Sequence, residues 1–113
     1  MTFHLATTET WARQRDQETY LPDSFAQDGF IHCTDGEQNM IDTANRYYAN
    51  DPAPFICLEI NPTRVTSEIR YEDPARIYPH IYGPLDNAAV TGIRAFVRDA
   101  GGRFIRLGDA ISA

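Results

Sequence analysis

An α+β fold, with two or three helices packed on a mostly antiparallel, split sheet, is the class this sequence predicts. Three observations predict it. Met40, Ile41, Ala44, Tyr47 and Tyr48 recur at helical spacing. Residues 64–72, RVTSEIRYE, alternate with the period of a strand that has one wet face. After Pro52 the strand-like segments follow one another through short turns, with no helices between them to build a parallel sheet. At 113 residues, the chain fits one domain, residues 1–113, with a core of its own.

The elements follow in order. Residues 2–6, TFHLA, read as a first strand with Phe3 and Leu5 on one face and His4 on the other. Thr7 or Thr8 then caps a helix whose buried side carries Trp11. The stretch YLPDSFAQ opens with a Pro-Asp turn and holds a short helical turn that packs Phe25. Residues 29–33, GFIHC, form the second strand, and Asp35-Gly36 turns the chain, with Asp35 as N-cap of the main helix and Gln38 in its first turn. Asn50-Asp51-Pro52 stops that helix. PFICLEI is the third strand and NPT its turn. The alternating RVTSEIRYE comes next, then a turn at DPAR. IYPHIYG is extended, interrupted by Pro79 and halted at Gly83-Pro84. AAVTGIRAFVRD fits either period, but the AGG that leads into RFIRL favours a C-terminal hairpin. Trp11, Phe25, Phe30 and Phe55 are the expected core aromatics.

Composition excludes several functions. The formal net charge is -6, and all ten basic residues are arginine. An acidic surface repels nucleic acid phosphates, so general nucleic-acid binding is not expected. Without lysine there is no Schiff-base chemistry. No apolar run approaches a membrane span and no signal-peptide pattern opens the chain, so a cytoplasmic protein without membrane contact is the expectation. Cys33 and Cys57 have no CxxC spacing and read as buried, reduced thiols.

All three histidines, His4, His32 and His80, lie in strand-like segments and none in an exposed loop. Such a grouping points to a shared cleft, with Phe30 on the same strand face as His32. Two chemistries that the residues themselves suggest use such a group. A His₃ metal site is one, although the spacings offer no local chelate and no bound metal is expected. A two-histidine hydrolase built on HxT motifs is another: HCT fits that pattern, while HLAT has one residue too many. A non-catalytic ligand-binding module is the rival from a different class.

The segments FHLAT…W, DGFIHCT…EQ and PHIYGPL carry a family resemblance over nearly the whole chain. Together they resemble the signature of the small bacterial DUF952 family, which has no settled biochemical activity and has been grouped with the ADP-ribosyltransferase-like fold. That resemblance implies NAD, or a related small nucleotide, held between two small sheets, with ADP-ribosyl transfer as the associated chemistry. It implies that His4 bonds a ribose of NAD and that His32 packs on nicotinamide. Phe30, on the His32 face, Thr34, and Gln38, reaching back from the helix, are expected to complete the nucleotide site. The third motif reads HIYG, without the glutamate usual in that fold, so His80 or Tyr82 fills its role, or Glu72 from just upstream. Leu5 stands where a small glycine usually follows the first histidine. Arg70 or Arg76 would hold a phosphate acceptor. The chemistry itself asks for an oriented ring, a hydrogen bond to the ribose and negative potential near the developing oxocarbenium charge.

Overall fold

Strand β1 (Thr2–Thr7) is buried on both faces, and that fact organises the molecule. The computed structural model describes residues 1–111. Alternation sends Phe3 and Leu5 to a core shared with Met40, Ile41 and Ala44 of helix α3 (Glu37–Tyr48). The opposite face carries Ala6 into a second core with Trp11, Tyr20, Ile31, Ile81 and Leu85. Strand β5 (Phe55–Ile60) repeats the division, with Cys57 towards α3 and Ile56, Leu58 and Ile60 towards the second core.

The result is three layers. A five-stranded antiparallel sheet in the order β10-β9-β5-β1-β4 separates α3 from two smaller sheets. Its members also include β4 (Thr34–Asp35), β9 (Val90–Arg98) and β10 (Phe104–Ala110). The smaller sheets are β3-β7-β6 (Ile31–His32, Pro79–Tyr82 and Glu68–Tyr71) and the pair β2-β8 (Thr19–Tyr20 and Leu85–Asp86). The fold is α+β and mostly antiparallel, with three α-helices among the described residues, the other two being α1 (Thr8–Gln14) and α2 (Phe25–Asp28). Among the described residues no helix is long and apolar enough to cross a membrane.

Several sequence expectations need correction. GFIHC does not run on as one strand. The chain leaves the small sheet after His32, pivots at Cys33 and enters the large sheet as β4. The N-cap of α3 is Gly36, at φ 88°, and Asp35 makes no capping bond. Its carboxylate instead accepts the Tyr71 hydroxyl at 2.5 Å, a partner 36 residues away that local sequence does not reveal. The alternating segment pairs only over Glu68–Tyr71, and Pro79 begins β7 rather than interrupting it. Phe25, Phe30 and Phe55 are half-buried, whereas Phe104 is buried and packs under the Arg98 guanidinium at 4.2 Å. The C-terminal hairpin forms as β9 and β10, which pair antiparallel. Thr7 is the cap of α1, accepting the Thr10 amide at 3.2 Å.

Gly83 closes β7 at φ 154°, and a Cβ there would lie 2.5 Å from the Ser67 hydroxyl oxygen. That hydroxyl donates to the Pro84 carbonyl at 2.8 Å, so it does not move without losing its bond. Gly83→Ala is therefore expected to destabilise the protein by about 1–2 kcal/mol in urea unfolding. An unchanged midpoint would mean that the Ser67 contact yields freely.

Candidate functional site

β4 pairs with β1 only at Thr2 and Phe3. From His4 onward no strand among the described residues lies beside that edge of β1, and a cleft of about 750 Å³ opens there. The consecutive residues His4, Leu5, Ala6 and Thr7 all line it, which requires access to the strand from its edge. Thr34 of β4 borders it from the large sheet, Thr10, Tyr20 and Cys33 on the layer of the small sheets and α1, and Met40, Thr43, Tyr47 and Tyr48 on the α3 side. Tyr78 and Asp73 come from the loop before β7, which Asp73 organises by accepting the Ile77 and Tyr78 amides.

All three histidines border this cleft, in two different states. His4 is buried, and both ring nitrogens are engaged. Nδ1 lies 2.7 Å from the His32 carbonyl oxygen, which only accepts, so Nδ1 carries the proton. Nε2 then accepts the Tyr20 hydroxyl at 2.9 Å. Burial drops the His4 pKa to about 4, only partly offset by the bond to His32, so the ring is neutral at pH 7. His4 thus ties the large sheet to both small ones. Burial also raises Tyr20 and Cys33 well above their usual values, leaving neither a phenolate nor a thiolate in the cleft.

His32 and His80 are cross-strand partners on the outward face of β3 and β7, with ring centroids 5.4 Å apart. Each holds a carboxylate by one nitrogen. His32 Nε2 donates to Asp28 at 3.0 Å, and His80 Nδ1 to Glu72 at 3.2 Å. Phe30 stacks on His80 at 3.9 Å and 10°, and meets His32 edge-on. Tyr82 also donates to Glu72, and these two bonds, Tyr82's first, keep the Glu72 carboxyl below the usual carboxylate range. The Arg70 guanidinium lies 4.4 Å from the Tyr82 ring centre and pairs with Glu68.

The expected site residues therefore fall into three groups. His4, His32, His80 and Thr34 line the cleft. Phe30, Glu72 and Tyr82 stand behind its rim and touch it only through the two outer histidines. Gln38 is elsewhere: it donates to Asp42 one helical turn on and borders a separate depression with Ile105 and Leu107. A first-turn side chain on the exposed face of α3 finds its i,i+4 neighbour before it reaches another strand. Arg76 packs on Tyr71, outside the cleft lining. Sequence reading missed Tyr20, Tyr47 and Tyr78. The Tyr47-Tyr48 pair carried a signal, since adjacent helix positions cannot both face one core. Among the described residues no group of three or more His, Cys, Asp or Glu has metal-binding geometry, and His4 would have to give up its Tyr20 bond to offer Nε2 to a His₃ set.

The family model described as "Protein of unknown function (DUF952)" matches residues 5–93. No curated protein matches. Two crystal structures of protein CC0527 from Caulobacter crescentus are similar, one of them of a double mutant. Each is 20% identical and covers 92% of both chains, with TM-scores of 0.77 and, for the double mutant, 0.76. At that identity the likeness speaks for the fold alone. Residues 5–93 include His32 and His80 and most of the cleft, and on that match the chain belongs to the DUF952 family.

Proposed function

We propose that this protein binds NAD or a closely related nucleotide in the cleft beside β1, poised for ADP-ribosyl transfer. One observation carries the reading: an edge-on cleft between two sheets, about 750 Å³ in volume, with a histidine from each of three strands on its wall. That volume falls in the range of small-molecule and cofactor sites. Tyr47, Tyr48 and Tyr78 offer ring faces for a flat base, and Thr7, Thr10 and Thr43 offer hydroxyls for ribose and phosphate oxygens. Arg46 borders the same cleft and offers a planar cation to a pyrophosphate. His4 fits the part of a fixed neutral wall rather than that of a ribose ligand, because its two nitrogens are spent inside the protein.

Calorimetric titration and thermal melting with NAD, ADP-ribose and ATP test the reading. A ligand at a hundred times its Kd is expected to stabilise the fold by about 2.7 kcal/mol. Tyr78→Ala is expected to weaken NAD binding at least about tenfold, the scale of one lost stacking contact, while its own melting stays close to wild type. Absence of any heat or shift with NAD and ADP-ribose at millimolar concentration would refute nucleotide binding. Unaltered affinity in Tyr78→Ala would place the ligand elsewhere.

A further inference from the structure

We propose that His80 is the proton acceptor of this site and that Glu72 is its positioning residue, an inference that rests on the nucleotide reading above. A transferase of this kind has to take a proton from the oxygen that attacks the sugar. Of the three histidines, His4 is neutral but sealed by its two bonds. His80 differs. Its Nδ1 faces the Glu72 carboxylate, which fixes the proton on Nδ1 and leaves the lone pair on Nε2. Among the described residues Nε2 makes no hydrogen bond, and His80 borders the cleft.

The surroundings hold that ring in one orientation. Phe30 lies parallel to it at 3.9 Å and fixes its plane. Glu72 is in turn held by the Tyr82 hydroxyl, and the Tyr82 ring by Arg70, itself tied to Glu68 at 2.9 Å. The charged and titratable groups facing His80 come from every neighbouring element. They are Arg70 and Glu72 on and after β6, Tyr82 on β7, and His32 on β3 with its Asp28 partner from α2. A carboxylate behind an imidazole selects its tautomer and stabilises the imidazolium formed when a proton arrives. This gives the third-motif histidine a role without requiring a carboxylate inside the cleft: Glu72 acts through His80.

The bond between the ribose C1′ and the nicotinamide nitrogen of NAD breaks, and its electron pair leaves with neutral nicotinamide. An acceptor hydroxyl, water in the simplest case, forms the new C1′–O bond. Its proton passes to His80 Nε2 and from there to solvent.

Nitrogen-15 NMR of the histidine rings, NAD calorimetry and nicotinamide release with water as acceptor form one test. His80 is expected to show the Nδ1–H tautomer in the wild type and a shifted tautomer balance in Glu72→Gln, whose amide no longer selects it. Glu72→Gln is expected to bind NAD within about threefold of wild type yet lose at least about tenfold in kcat, and His80→Ala to lose about a hundredfold or more. An Nε2–H tautomer in the wild type would overturn the pairing without reference to any ligand. NAD binding with no nicotinamide release, or with kcat unchanged in Glu72→Gln, would overturn the catalytic assignment and leave nucleotide binding standing. No NAD binding at all would remove both.

Discussion

His4→Ala is expected to destabilise the protein by about 2–4 kcal/mol, while His32→Ala changes stability by no more than about 0.5 kcal/mol. The contrast follows from burial and partners. His4 is 4% exposed, and removal of its ring orphans the His32 carbonyl and the Tyr20 hydroxyl, the latter on a buried residue. Each abandoned buried group costs about 1–3 kcal/mol, and the vacated ring volume adds a cavity term. The His32 side chain is 59% exposed and shares one bond with Asp28 at the surface, the kind of contact worth little. The two strand-borne histidines thus divide into a strut and a rim residue. Urea unfolding of the two variants at pH 7.5, followed by circular dichroism, measures the difference. Equal losses would show that His4 does not tie the sheets together.

The sequence made the regular elements legible wherever a period had room to repeat. β1, α3, β5 and the final hairpin each span enough residues for alternation or helical spacing to register, and Thr7 announces α1 by its cap. Elements of two residues left no such trace. β2 and β8 pair only Thr19 with Asp86 and Tyr20 with Leu85, and nothing local marks them as strands. The pivot at Cys33 is invisible for a related reason. β3 and β4 are two residues each, and the pairing of the first with β7 and of the second with β1 is a long-range choice that no local period records. The site was legible as residue types rather than as roles. Alternation separated His4 from Phe3 and Leu5, but no period tells whether the opposite face is wet or covered by another sheet. Here it is covered, by Tyr20 among others. Asp35 and Asp28 show the same limit: the first leaves its cap for Tyr71, and the second joins His32 across the Gly29 turn.

Acidification is expected to remove about 3 kcal/mol of stability through His4 alone. The ring titrates near 6.5 when the chain is unfolded and about 4 when it is folded, because burial opposes its charge. The unfolded state therefore binds a proton first. The full contribution of the neutral ring is present above pH 6.5. It declines as pH falls from there, and is gone once pH passes below about 4, where both states carry the proton. Carboxylates titrate over part of the same window, so the wild type alone does not isolate the effect. The comparison with His4→Gln does, since glutamine keeps an amide in the site and never titrates. His4→Gln starts less stable at pH 7.5, and its disadvantage is expected to shrink steadily towards pH 4 as the wild type loses what the variant never had. Urea midpoints at half-unit intervals between pH 7.5 and 4.5 would show two converging curves. Parallel curves would mean that His4 can protonate in the folded state near its ordinary value, so that the ring between the two sheets is wet and its bond to Tyr20 is readily surrendered.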